Sequence, residues 1–270
     1  MTPFLQQPAE RTSWRWWQTR RAGRLVDALF DAMLRRPRTQ RKIARARDAC
    51  PPQKILVVGV VVPGREADME RVRESLASDR HDCTFSFVPM QPKGKFDNVN
   101  DAIDQAAAAF AAADWLFVID DDIGLEAGFT DKLVGLLYAN AVDIAQPAHR
   151  MRSHTSWLLT KRVWGSLVRR TGFVEIGPMT IFRRTTFAAI VPFPSMRWAW
   201  GLDPLWSHLA IVHDWTMAIV DAVALEHLRP VGKTYDRAEA EREGDAFLAA
   251  HGVTLDRQTV MQPGRIIDPW

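Results

Sequence analysis

The sequence predicts an α/β fold with a mostly parallel central sheet flanked by helices. Three observations carry that expectation. Between residue 54 and about residue 150, β-branched apolar runs alternate with segments of helical periodicity. The first run, "KILVVGVVVPG", is continuously apolar, as in a strand covered on both faces. At 270 residues and 47% hydrophobic, the chain is long enough to bury a sizeable core.

Residues 1–50 read as a basic amphipathic helical extension. "SWRWWQTRRAGRLVDALFDAMLRR" sets Ala22, Leu25, Val26, Leu29 and Met33 at helical spacing with arginines on the other side. Trp14, Trp16 and Trp17 precede it. The segment holds twelve Lys/Arg against four Asp/Glu, about +8; the whole chain is only +3, so the remainder carries about −5. Such a helix either makes a peripheral contact with an anionic membrane through residues 14–36 or packs on its own body with the arginines solvated. Pro51 and Pro52 mark the boundary.

From Lys54 the elements follow in order. "KILVVGVVVPG" is a strand, "READMERVRESLAS" a helix and "CTFSFVPM" a second strand. "FDNVNDAIDQAAAAFAAAD" is one helix with Asp97 or Asn98 able to cap it. "WLFVID" is a third strand, "GFTDKLVGLLYANAVD" a helix entered through Thr130, and "IAQPA" a short strand. Residues 51–150 make the first half of one domain spanning 51–270. Residues 151–235, with short strands, prolines and many tryptophans, are expected to build a site on the sheet rather than extend it. Residues 236–270 are a charged, peripheral helix and a tail.

Composition excludes several classes. The acidic main body does not suit a nucleic-acid binder. Cys50 and Cys83 form no metal or redox spacing. No apolar run nears the roughly 18–20 residues of a membrane span, and Asp27 and Asp31 interrupt any secretory signal. A cytoplasmic protein is expected, with any membrane contact peripheral and on the inner face.

The third strand ends in "DDDIGL". Three adjacent carboxylates repel, and burying one unpaired costs several kcal/mol, order of magnitude. Ligands of open parallel sheets gather at the carboxyl ends of strands. Alternation sends Asp120 and Asp122 to one side and Asp121 to the other. Two carboxylates on one side suit a hard divalent cation; a solvated loop capping the next helix is the plainer account.

A strand ending in Asp-x-Asp within such a half resembles the GT-A class of glycosyltransferases. The likeness narrows to a plant and bacterial subfamily catalogued as a domain of unknown function. Its members carry runs similar to "VIDDDIGLEAGF", "DIAQPA", "GFVEIGPMTIFRR", "WAWGLD" and "IVDAVALEH" in that order, across roughly Lys54 to Gly232. The resemblance implies a GT-A-like fold, residues 51–150 as the nucleotide-binding half and 151–235 as the acceptor half. It implies Asp120, Asp122 and His227 as ligands of Mn²⁺ or Mg²⁺ that neutralises a departing nucleoside diphosphate. Asp203 of "WGLD" is then the general base of an inverting transfer. Leu202 stands where related families carry glutamate, and Asp203-Pro204 also reads as a helix N-cap.

The donor contacts expected are Val62 and Pro63 after the first strand, Lys95 and Asn98 near a helix start, and Asp121. Glu175, Gly177, Trp200 and Gly201 are expected around the acceptor, with Trp206 and Trp215 in the core. The reading is a metal-dependent glycosyltransferase using a nucleotide sugar and an unknown glycan or other hydroxyl acceptor. A turnover-less nucleotide- or glycan-binding protein and a nucleotidyltransferase are the alternatives, although "VVVPGREADME" is a poor version of the latter's glycine-rich loop.

Overall fold

The computed structural model describes residues 2–7, 20–229, 236–262 and 264–270. Trp14, Trp16 and Trp17, with the rest of residues 14–19 of the expected membrane segment, lie outside them. Helix α1 (Arg20–Leu34) leads into α2 (Pro37–Ala49), which opens with proline at its first position. Leu34 and Ile43 are buried in the main core. Helices α1 and α2 are thus built into the body. The buried face of α1 differs from the expected apolar stripe: Phe30, Leu34 and the carboxylate of Asp27 are inside, whereas Leu25 and Leu29 are exposed.

The predicted alternation is present. Strand β1 (Lys54–Val61) is followed by α3 (Glu66–Leu76), β2 (Asp82–Pro89), α4 (Lys95–Gln105), α5 (Ala107–Ala112) and β3 (Trp115–Ile119). The alanine-rich segment is two helices, broken at Ala106. Next come β4 (Ile123–Gly124), α6 (Phe129–Ala139) and β5 (Ile144–His149). Gly128, in the left-handed region at φ 65°, opens α6, so Thr130 lies inside the helix and gives its hydroxyl proton to Leu76 O instead.

The second half extends the sheet, contrary to expectation. It supplies β6 (Ser166–Arg170), β7 (Met179–Arg183), the short α7 (Phe187–Ile190), α8 (Leu202–Val212) and β8 (Met217–His227). The last elements are α9 (Arg237–Ala250), α10 (Arg257–Val260) and β9 (Arg265–Pro269). The sheet of the described residues runs β2-β1-β3-β7-β5-β8-β6-β9, with β4 paired to β8.

Only β1–β2, β1–β3 and β5–β8 are parallel; β7 enters antiparallel to both β3 and β5, and β6 is antiparallel to β8 and β9. The sheet is therefore mixed rather than mostly parallel. A five-residue buried run such as "MTIFR" is apolar whichever way it points, so hydrophobic pattern alone could not set its direction.

Alternation along β1 divides the core. Ile55 and Val57 face α2, α3 and α6, while Leu56 and Val58 face α4, α7 and α8. Covering both faces explains the continuous apolar run. Trp206 closes the second layer against Phe96, Phe182 and Phe193, as expected of a core tryptophan. Helix α9 is not peripheral. Gly244 abuts Gly201, and Glu243 accepts the backbone N–H groups of Arg197 and Trp198, each at 2.8 Å. No described helix is long and apolar enough to cross a membrane.

Candidate metal centre

The parallel strand β3 delivers the acidic run to its carboxyl end. There Asp120 N–H donates to Pro178 O at 2.8 Å. The chain then turns back so that β4 lies antiparallel to the end of β8, with Ile123 opposite His227. Leu228 N–H donates to Asp122 O at 2.9 Å, closing that ladder. This pairing brings together residues more than a hundred positions apart. Asp122 Oδ1 stands 3.2 Å from His227 Nε2, and one ligand atom from each of Asp120, Asp122 and His227 lies within 4.8 Å of the others.

Asp121 points the opposite way, as alternation requires. It accepts from Arg65 Nη1 at 3.1 Å and from Val62 N–H at 3.4 Å. Burial raises its pKa and outweighs Arg65. Burial also acts on Asp122, but there His227, Lys95 and Arg229 prevail and hold its carboxyl below the ordinary value. For His227, burial disfavours the charged ring, yet the Asp122 carboxylate raises its pKa overall. Lys95 Nζ sits 2.5 Å from Asp120 Oδ1. So each of the two carboxylates that share a side faces a basic group, Lys95 for Asp120 and His227 for Asp122.

A buried polar layer fixes His227 from behind. Its backbone N–H donates to Ser153 Oγ at 2.8 Å, and that oxygen lies 3.1 Å from His149 Nδ1. His149 Nε2 is 3.3 Å from Glu175 Oε2, an ion-pair distance without hydrogen-bond alignment. Burial lowers the pKa of His149 more than Glu175 raises it. Lys161 anchors the loop that carries Ser153: its Nζ donates to Arg150 O at 2.9 Å, to Met151 O at 3.3 Å and to Ser153 O. Arg24 of α1, Arg152, His154, Glu226 and Leu228 line a recess that reaches His227.

The remaining expected residues divide. Val62 and Lys95 adjoin the acidic turn, and Pro63 is exposed beside them. Asn98 is 1% exposed; its Oδ1 accepts from Gln91 N–H at 2.9 Å and its Nδ2 donates to Gly94 O at 2.9 Å. That amide holds the loop before α4, whose cap is Gly94 rather than Asp97 or Asn98, and is occupied there rather than turned to a phosphate. Gly177 belongs with the acids: a Cβ there would stand 3.0 Å from Asp120 Oδ2 and 3.2 Å from Lys95 Nζ.

Glu175 is buried and turned inward, accepting from Trp157 N–H at 3.0 Å and Thr155 Oγ1 at 3.1 Å, so it shapes a loop instead of an acceptor floor. Gly201 is a close-packing glycine whose Cβ would meet Phe247 Cδ1 at 2.6 Å, and Arg237 lies 5.4 Å over the Trp200 ring. The cap of α8 is Gly201, so Asp203 sits within the first turn and is not the N-cap. Its Oδ1 is buried without a hydrogen bond, and burial, with Glu175 nearby, drives its pKa well up.

Sequence reasoning missed Arg65, His149, Ser153, Lys161 and Arg229. The signal was present for two of them: His149 ends the strand "IAQPAH", and Arg229 follows His227 by two positions in "HLRP". Ser153 and Lys161 show their role only once β5 and β8 are side by side.

Fold and site define an α/β protein with a mixed sheet and an Asp-Asp-His cluster of metal-ligand geometry. No family model matches the chain, and no curated protein matches it. Among solved structures it is similar to "Crystal Structure of A197 from STIV", at 13% identity and TM-score 0.45, covering 65% of this chain and 86% of that one. At that level the likeness says nothing about what this chain does.

Proposed function

We propose that the protein is a metal-dependent glycosyltransferase of GT-A type, moving a sugar from a nucleotide donor to a hydroxyl acceptor with inversion. The observation that carries the reading is the convergence of Asp120, Asp122 and His227 at the carboxyl end of β3. Two carboxylates and one imidazole, partly buried, fit Mn²⁺ well and Mg²⁺ less closely. Asp122 Oδ1 and His227 Nε2 face each other at 3.2 Å, so both would turn a ligand atom to the same ion. When bound, the ion would supply positive charge for the diphosphate of the leaving nucleotide.

The chain's own residues supply the rest. Lys95, paired to Asp120 at the first residue of α4, would meet a phosphate oxygen. Arg65 holds Asp121 and orients the loop after β1, where the nucleoside would lie. Asp203 is the assigned base. Its buried, unpartnered oxygen and raised pKa mark a carboxyl of increased basicity, the property a general base needs.

Incubation with a panel of nucleotide sugars in Mn²⁺ tests the reading by donor hydrolysis or transfer. Metal-dependent release of nucleoside diphosphate, abolished in Asp122→Asn and in Asp203→Asn, is the expected result. Release that survives both substitutions, or no binding of any nucleoside diphosphate with metal present, overturns it. Binding without turnover would instead favour the nucleotide-binding alternative.

A further inference from the structure

Helix α1 is held to the body by its acids and leaves its leucines in solvent. Asp27, 1% exposed, accepts from Met151 N–H at 2.8 Å and Arg152 N–H at 3.2 Å. Asp31 accepts from Arg150 Nη1 at 2.9 Å and from Arg162 Nη1 at 2.8 Å. Phe30 and Leu34 supply the apolar part of this contact. The opposite face presents Leu25, Ala28, Leu29 and Ala32 at helical spacing, all exposed, with Leu25 at 71% and Leu29 at 60%. Arg24 stands at one end of this stripe and Arg35 and Arg36 at the other, exposed and without an ion pair among the described residues.

Both acids of α1 point inward, so its outer face carries only positive charge. That segregation matches the sequence, in which residues 1–50 hold about +8 and the rest about −5. We infer that the outer face of α1 docks peripherally on an anionic lipid surface, Leu25 and Leu29 entering the headgroup boundary while Arg24, Arg35 and Arg36 meet lipid phosphates. Two leucines between arginines suit that occupant. A second copy does not fit, since a two-fold contact would set like charges against each other and the stripe is far narrower than the roughly 800 Å² per partner of a stable interface. Arg24 also lines the recess that reaches His227, so docking sets the candidate site beside the lipid. The inference does not depend on the glycosyltransferase reading.

Co-sedimentation of the full chain with vesicles tests it, using phosphatidylcholine alone and phosphatidylcholine with one quarter phosphatidylglycerol. Binding is expected to the mixed vesicles alone and to weaken with salt. Each arginine near the surface contributes about fivefold, so Arg35→Gln with Arg36→Gln lowers the partition about twenty-five-fold. Leu25→Ser with Leu29→Ser removes most of the bound fraction; melting curves confirm the fold, because both side chains are exposed in the free protein. The inference is overturned by failure to bind the mixed vesicles, by equal binding to both kinds, or by unchanged partition in both double variants. A dimer that Leu25→Ser with Leu29→Ser dissolves, without vesicle binding, assigns the face to a second copy and also overturns it.

Discussion

Replacing Lys95 by methionine should move metal and nucleotide affinity in opposite directions. Lys95 Nζ lies 2.5 Å from Asp120 Oδ1, so without a metal the lysine occupies a ligand of the candidate site. The side chains are 30% and 27% exposed, which places the pair among screened, half-exposed ion pairs contributing roughly 0.2–1 kcal/mol. Removing that competitor should tighten binding of Mn²⁺ alone by at most about fivefold. The nucleoside diphosphate has the reverse dependence. It loses a charge-assisted hydrogen bond of about 1.5–3 kcal/mol and should bind about ten- to hundredfold more weakly. Calorimetric titration of Mn²⁺ alone, then of uridine or guanosine diphosphate in saturating Mn²⁺, reads both terms. Weaker binding of Mn²⁺ alone in Lys95→Met, or unchanged diphosphate affinity, would refute this assignment.

Other outcomes follow from the same geometry. Ser153→Ala leaves the His227 backbone N–H without its acceptor, costing about 1–3 kcal/mol of stability in chemical denaturation, and should lower Mn²⁺ affinity by about tenfold or more. Asp27→Ala strips the buried partner from the 151–152 amides and from Arg162, and should cost about 3–5 kcal/mol. Asp203 has a folded pKa raised above its unfolded value, so the folded state binds more protons and stability falls as pH rises through the window above the ordinary carboxyl value. Asp203→Asn should remove that fall, matching or exceeding wild-type melting at neutral pH while turnover is lost. A variant that is both less stable and still active would contradict the assignment.

How much was legible depended on whether a feature is local. The run Lys54–Val61 announces itself because both faces are covered, and α3 and α6 show their period. Direction is not local: β7 reads the same parallel or antiparallel. The exposed strand β9, with no buried face to impose alternation, went unread. Helix α1 was recognised as a helix but with the wrong inner face, because its docking rests on ion pairs of Asp27 and Asp31 rather than on Leu25 and Leu29. In the site, the acidic turn was plain and alternation separated Asp121 correctly from its neighbours. His227 came from resemblance alone, and its position depends on β4 pairing with β8. Asn98 and Glu175 were misread because a buried amide or carboxylate can face its own loop as easily as a ligand.

Binding of Mn²⁺ to the wild-type chain and to Asp122→Asn, followed by electron paramagnetic resonance across pH, tests whether the Asp120, Asp122 and His227 cluster holds a metal. A protein-bound Mn²⁺ signal is expected in the wild type, with at least tenfold weaker binding in the variant. Because the imidazole proton and the ion compete for Nε2, and Asp122 raises the His227 pKa overall despite burial, wild-type affinity should begin to fall above the ordinary imidazole value as pH is lowered. Equal affinity in both proteins, or no bound Mn²⁺ with or without a nucleoside diphosphate, would contradict a metal centre at Asp120, Asp122 and His227.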